Sequence, residues 1–102
     1  MISKLIPSNL FLSQIRDLGE APRKIIEEKI NLIKINPYRY KRIDSKKFSK
    51  VFRIRLNIKN KDTRLIYMVI EPNIILVCLL ERKNDYKDLE KYLTKVNKEF
   101  LK

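Results

Sequence analysis

The stretch that decides the fold is a run of three segments with short polar connections: VFRIRLNI (51–58), TRLIYMVI (63–70) and IILVCLLER (74–82). Their β-branched and apolar residues and the short connections between them predict antiparallel strands. In the first segment, the two-residue period of a strand puts Phe52 and Ile54 on one face and Arg53 and Arg55 on the other. One face of the predicted sheet is therefore apolar, and the opposite face is cationic.

The second and third segments extend this cationic face. Alternation puts Arg64 opposite Leu65 in the second segment, and in the third it puts Arg82 opposite a set of apolar residues: Ile75, Val77 and Leu79. If the strands are neighbours in register, one side of the sheet collects four arginines: Arg53, Arg55, Arg64 and Arg82. Such a surface favours phosphate, because the planar guanidinium group donates paired hydrogen bonds to its oxygens.

Helical patterns stand on both sides of these strands. Ser8 or Asn9 can cap a first helix that Gly19 ends, and Pro22 fits the first turn of a second helix that Pro37 ends. Residues 1–6 favour a short strand only weakly, and residues 38–50 are a basic connector that could be a loop or a brief strand. A third helix is predicted at the C-terminal end by one apolar stripe: Leu89, Leu93, Val96 and Phe100.

These elements predict an α+β fold in one domain, residues 1–102. An N-terminal helical hairpin is expected to cover the sheet face of Phe52, Leu65 and Val77, in a sheet of three to four antiparallel strands. The C-terminal helix is the candidate to shield the apolar end of the cationic face.

Charge is the outlier in the composition. Lys and Arg number 24 against 12 Asp and Glu, which gives a net charge of +12 and a pI near 10.0. Such an excess of cations is typical of proteins that bind a polyanion, with nucleic acid the first candidate and an anionic membrane surface the second. Eleven basic residues against two acidic ones lie within residues 39–64. Beside the strand arginines, the candidate RNA-binding residues are Arg39, Lys41, Arg42, Lys46, Lys47 and Lys50.

Several chemistries are excluded by the residues that the chain lacks. With no histidine, it cannot use a Ser-His-Asp or Cys-His mechanism or a histidine-ligated metal, and we expect neither metal nor cofactor. Cys78 is the only cysteine, so no internal disulfide is possible. No signal peptide or membrane-length apolar stretch is evident, so we expect a soluble protein in the cytoplasm with no membrane partner.

The ordered pattern resembles the RelE/ParE superfamily of type II toxins. It is similar above all to the RelE-like branch of ribosome-dependent mRNA endonucleases, and the resemblance spans essentially the whole chain. The residues that carry it are Phe52-Arg53-Ile54-Arg55-Leu56, Thr63-Arg64-Leu65-Ile66-Tyr67 and Leu80-Glu81-Arg82, with Tyr86 beyond them. The resemblance implies a toxin that cleaves mRNA in the ribosomal A site, docks on ribosomal RNA, and is neutralised by a cognate antitoxin.

Carried over residue by residue, the resemblance implies one RNA-cleaving site: Arg53, Arg55, Arg64, Arg82 and Tyr86. The sequence departs from the family pattern at Glu81, which could act as a base or could pair with Arg82 and suppress its function. It departs again in the loop Asn57 to Asp62, which lacks the usual glycine.

The expected roles follow from what RNA cleavage requires. The 2′-hydroxyl must lose a proton, the phosphorane must be stabilised, and the 5′-oxygen must gain a proton. We expect Arg64 and Arg82 on the scissile phosphate, with Arg82 as a candidate acid, and Arg53 and Arg55 on the backbone and transition state. Nearby cations favour the phenolate of Tyr86, which makes it the candidate base, with Glu81 in reserve.

Three other interpretations stay open. Each arginine could form a structural ion pair or extend along the sheet edge. The fold could belong to the gyrase-inhibiting ParE branch, although that branch does not keep the basic catalytic set. The chain could also bind nucleic acid without cleaving it.

Overall fold

The computed structural model describes residues 4–81 and 88–100. Within these ranges the chain forms three helices and a five-stranded sheet of order β1-β5-β4-β3-β2. The elements in chain order are β1 (Lys4–Pro7), α1 (Asn9–Arg16), α2 (Glu20–Ile35), β2 (Lys41–Arg42), β3 (Val51–Ile58), β4 (Lys61–Ile70), β5 (Asn73–Glu81) and α3 (Leu89–Phe100).

The predicted α+β architecture is confirmed, with the hairpin α1–α2, the antiparallel strands β3, β4 and β5, and the C-terminal helix α3. The sheet has five strands in the described ranges, however, instead of three to four, and it is mixed. Strand β1 pairs in parallel with β5, from Lys4 beside Asn73 to Pro7 beside Leu76, and β2 pairs with Phe52 and Arg53 of β3. These two extra strands have four and two residues, too few to show a clear period in sequence.

The N-terminal helix is tied directly to β5. Of the two predicted caps the structure uses Ser8, whose hydroxyl accepts from the Phe11 amide (3.0 Å) and donates to the Val77 carbonyl (2.8 Å). The Gln14 amide group pairs with Leu79 in both directions, with its nitrogen 3.0 Å from the Leu79 carbonyl and its oxygen 2.7 Å from the Leu79 amide. Side chains at the start of α1 and within it therefore form hydrogen bonds with the backbone of β5 at Val77 and Leu79, past the last residue of β5 that pairs with β1.

The two central hairpins use different connections. Lys59 and Asn60 join β3 to β4 with φ values of 53° and 65°. Two consecutive residues with positive φ are typical of a two-residue hairpin turn, whose twist matches that of the antiparallel strands it joins. The connection from β4 to β5 contains a cis peptide bond between Glu71 and Pro72.

A β-bulge changes the phase of β5. Ile66 pairs with Cys78 and Tyr67 pairs with Leu76, so Val77 is the extra residue between them. Ile75 and Val77 consequently lie in the cluster beside α3, whereas Leu76 and Leu79 lie on the hairpin side. The expectation that Ile75, Val77 and Leu79 share one face, with Val77 under the hairpin, was therefore wrong, because strict alternation cannot include an inserted residue.

The sheet separates two apolar clusters. On one face, α1 and α2 cover β3 and β4, with Phe11, Ile26, Ile33, Phe52, Leu65 and Tyr67 among the buried residues. On the other face, α3 places Leu89, Leu93 and Val96 against Val51, Ile66 and Met68. The predicted division of the two helical layers between the two faces is thus confirmed.

Helix α3 is also held at its first turn by the connector before β3. Glu90 accepts hydrogen bonds from the Ser45 hydroxyl and, at 2.9 Å, from the Lys46 amide. A carboxylate near a helix start also interacts favourably with the helix dipole. Within residues 4–81 and 88–100, no helix is long and apolar enough to cross a membrane.

Candidate nucleic-acid interface and active site

Three of the predicted catalytic arginines share the face of the sheet on which α3 lies. Arg55 of β3 stands directly opposite Arg64 of β4, and Arg64 stands opposite Leu80 of β5. In the adjacent row, Arg53 stands between Lys41 of β2 and Ile66 of β4. Directly opposed side chains on one face are about 5 Å apart at their Cβ atoms. The register therefore brings Arg53, Arg55 and Arg64 into one cationic group, named here the arginine face.

The arginine face begins where the apolar cluster under α3 ends. Ile66, Cys78 and Leu80 are buried members of that cluster, and Arg55, one row further along β3, is exposed. Arg53 is partly buried between these two environments. The same strands therefore hold a packed core at one end of this face and solvent-reachable guanidinium groups at the other.

Arg64 differs from its neighbours because its side chain is only 2% exposed. Its Nη1 donates to the Asp62 carboxylate at 2.5 Å, and the Asp62 side chain is 46% exposed. The buried Nε–H of Arg64 has no hydrogen-bond partner among the described residues. Arg64 therefore forms a structural ion pair with Asp62, which was one of the alternatives for each arginine. This pair uses Nη1 and leaves the Nε–H of Arg64 without a partner among the described residues.

Two predicted RNA-binding cations lie against aromatic rings. The Arg42 guanidinium is 5.7 Å from the centre of the Phe52 ring, and the Lys50 ammonium is 6.0 Å from the centre of the Tyr38 ring. Phe52 belongs to the cluster beneath the helical hairpin, so Arg42 lies on the side of the sheet away from the arginine face. A cation over an aromatic ring is attracted by the ring quadrupole, which gives these two side chains a structural partner.

The other predicted RNA-binding residues are distributed differently. Lys41 shares a row with Arg53 and extends the arginine face, whereas Arg39 is an exposed residue of the connector after α2. Lys46 and Lys47 lie in the loop that contacts the start of α3. The six residues therefore form no single surface.

A basic groove, separate from the arginine face, lies between α3 and the loop that contains Lys46 and Lys47. It is lined by Lys47, Glu90, Lys91, Thr94, Lys95 and Lys98. None of its three helix lysines, Lys91, Lys95 and Lys98, is among the RNA-binding residues predicted from the sequence. The spacing of 91, 95 and 98, which places all three on one helical stripe, was the signal that could have identified this groove.

Glu81 lies away from the arginine face. It stands opposite Thr63 in the register and is 3.4 Å from the Lys61 ammonium. It also lines a cleft with Gln14 and Leu79, on the hairpin side of the sheet. The geometry thus places this carboxylate on the other side of β4 from the Arg64 guanidinium. Arg82 and Tyr86 lie outside the described residues.

The buried ionisable groups elsewhere are poor candidates for chemistry. Burial raises the pKa of the Cys78 thiol to about 12, and burial likewise raises the pKa of Tyr67, whose hydroxyl donates to the Pro37 carbonyl at 2.6 Å. Tyr38 donates to Glu71, and this hydrogen bond raises the pKa of the exposed phenol. Over residues 4–81 and 88–100, no cluster of carboxylates and cysteine could hold a metal ion.

The arrangement of the whole chain can be compared with solved structures. E. coli toxin RelE, solved in the free state as a double arginine-to-alanine mutant, superposes with a TM-score of 0.65 at 19% identity, over 99% of this chain and 100% of that one. The chain has the RelE fold. The intact E. coli RelBE toxin–antitoxin complex also contains a match, with a TM-score of 0.57 at 21% identity over 74% of this chain and 90% of that one. No protein-family model and no curated protein matches the sequence.

The RelE fold explains why the resemblance was visible in sequence. Its central hairpins fix the spacing of Arg53, Arg55 and Arg64, so their order along the chain becomes a spatial group. Identities of 19% and 21% show a shared fold.

Proposed function

We propose that this chain is the toxin of a type II toxin–antitoxin system and acts as a ribosome-dependent endoribonuclease that cleaves mRNA in the A site. The observation that carries the proposal is the opposition of Arg55 and Arg64 on neighbouring strands, with Arg53 in the next row. The RelE fold and the net charge of +12 add support.

In the proposed reaction, the 2′-oxygen of a nucleotide attacks the adjacent phosphorus as its proton passes to Tyr86. The bond from phosphorus to the 5′-oxygen breaks, and that oxygen takes a proton from Arg82. The products are a 2′,3′-cyclic phosphate and a 5′-hydroxyl end. Arg64 and Arg82 hold the scissile phosphate, while Arg53 and Arg55 stabilise the charge that develops on it. Glu81, paired with Lys61, is assigned no step.

Dependence on the ribosome follows from the chemistry of these groups. Arginine stabilises charge well, but its guanidinium gives up a proton only to a strong base such as the departing 5′-oxygen, so Arg82 is a weak acid and no arginine serves as the base. The reaction then depends on holding the 2′-oxygen in line with the leaving group, an effect that can supply about 7–11 kcal/mol. We assign that orientation to the ribosome, and we assign the docking of the toxin on ribosomal RNA to the basic groove of α3 and its loop.

The proposed partner is a cognate antitoxin. E. coli RelE occurs in a complex with its antitoxin, and an enzyme that cuts the mRNA of its own cell must be held inactive until it is needed. An acidic or amphipathic segment that covers the arginine face would complement its charge. We therefore expect the antitoxin to protect Arg55 from solvent and chemical modification.

The test is a purified translation system programmed with a defined mRNA. The proposal predicts cuts within codons at the A site, no comparable cleavage of free mRNA, and loss of cutting in Arg55→Ala. Arg16→Ala is the matched control, because it removes the same charge from an exposed position of α1. Inhibition of DNA supercoiling by gyrase without mRNA cleavage would assign the chain to the alternative ParE-like activity. RNA binding without either effect would make it a non-catalytic module.

A further inference from the structure

Arg64 is a buried cation whose hydrogen-bond donors are only partly satisfied. Its guanidinium is almost completely removed from solvent, yet Asp62 contacts it through Nη1 alone. The Nε–H is buried and has no hydrogen-bond partner among the described residues. A buried charged donor without a partner is costly, so such a group favours any ligand that can accept its hydrogen bond.

Asp62 and Arg64 are unequal members of this pair. Both belong to β4, two residues apart, so both project from the same face of the sheet. Asp62 follows the Lys59-Asn60 turn and is about half exposed, whereas Arg64 is buried. The half-exposed carboxylate is therefore the member of the pair that can move toward water, and the buried guanidinium cannot follow it.

We propose that Arg64 exchanges ligands: Asp62 holds its guanidinium in the free protein, and a phosphate of the bound RNA displaces that carboxylate and also takes the Nε–H. This inference rests on the proposed function and adds a regulatory element to the same site. A phosphate presents several oxygens to Nε and the terminal nitrogens, which a carboxylate bound through one nitrogen does not do. Asp62 is then a positioning residue that keeps the arginine face from binding phosphates indiscriminately.

The first test measures RNA binding separately from cleavage. The probe is a short single-stranded RNA with every 2′-hydroxyl methylated, and its dissociation constant is measured by fluorescence anisotropy at physiological salt. Asp62→Asn should bind roughly 5- to 30-fold more tightly than wild type, because RNA then displaces the neutral hydrogen bond that asparagine can make and no longer the stronger, charge-assisted one of the carboxylate. Glu27→Gln is the matched control, because it removes one carboxylate from the exposed face of α2.

A double-mutant cycle ties this gain to Arg64. In an Arg64→Met background, the same change at Asp62 should tighten binding by less than about three-fold, since only screened repulsion between carboxylate and phosphate remains. An effect no larger than that of Glu27→Gln, weaker binding, or an equal gain without Arg64 would each overturn the inference.

A second measurement needs no change at Asp62 and applies even if that variant does not fold. In the wild-type protein, the NMR signal of the Arg64 Nε–H, assigned by its absence in Arg64→Met, should move when the methylated RNA saturates the protein. A signal that stays in place at saturation refutes the exchange. Because the probe cannot be cleaved, this outcome is independent of nuclease activity, and failure to cut mRNA on ribosomes would refute only the proposed function.

Discussion

Replacement of Arg64 by methionine should leave the fold almost unchanged while removing most of the activity. Loss of the 2.5 Å hydrogen bond to Asp62 lowers the free energy of unfolding by about 1–3 kcal/mol. Removal of the buried, unsatisfied Nε–H recovers about 1–3 kcal/mol, and methionine keeps much of the apolar stem. Asp62 is 46% exposed, so no buried carboxylate is left uncompensated. The net change should therefore lie within about 2 kcal/mol of zero.

Activity should respond very differently to the same replacement. A preorganised donor that stabilises transition-state charge is worth roughly 100- to 1,000-fold in rate. Single-turnover cleavage of mRNA on programmed ribosomes should slow by that factor in Arg64→Met, and urea unfolding of the same preparation supplies the stability. Arg16→Met is the control, since a substitution at an exposed position of α1 should alter stability by less than about 0.5 kcal/mol.

Two results would refute this reasoning. Cleavage by Arg64→Met at the wild-type rate would show that Arg64 does not contact the reacting phosphate. A loss of stability well above 2 kcal/mol, with activity falling only as far as the unfolded fraction requires, would show that the guanidinium is structural.

Three further predictions concern the groups around this site. Ser8→Ala should lower the free energy of unfolding by about 2–3 kcal/mol in urea titrations, because it removes the α1 cap and leaves the Val77 carbonyl without its donor. Cys78 should react with iodoacetamide at pH 8 only after unfolding, because burial raises the pKa of the thiol to about 12 and keeps it neutral in the fold; labelling of the native protein at the unfolded rate would contradict this. Replacing the three lysines of α3 with glutamine should reduce the slope of log affinity for ribosomes against log salt by about 2 to 3. The control variant replaces three exposed lysines outside α3: Lys4, Lys24 and Lys34. An equal reduction in that variant would show that only the net charge matters.

The central strands could be predicted because each carries its own pattern. The segment 51–58 alternates apolar residues with arginines, and β3 has the same bounds. The bulge at Val77 could not be predicted, because both phases of β5 present apolar side chains and neither is penalised by burial. Strands β1 and β2 could not be assigned firmly for a different reason. They are stabilised by pairing with β5 and β3, and the local sequence of a short segment does not show which strand it will pair with.

The candidate site shows a similar limit. Alternation predicted that Arg53 and Arg55 share a face, and the register places Arg64 there with them. Burial of Arg64 and its hydrogen bond to Asp62 were not predicted, although a carboxylate two residues before an arginine on one strand already implies that the two share a face. Sequence could place these groups on one surface but could not establish which of them is exposed to solvent.

The position of the arginine face on the sheet suits a site that works by orientation. Arg53, Arg55 and Arg64 belong to strands whose adjacent residues are packed under α3 or under the helical hairpin, so their backbones are fixed from both sides. Charge stabilisers gain most from fixed positions, because a donor that must reorganise during the reaction loses much of its advantage. An adjustable contact between the half-exposed Asp62 and the buried Arg64 would then make phosphate binding conditional without loosening the scaffold.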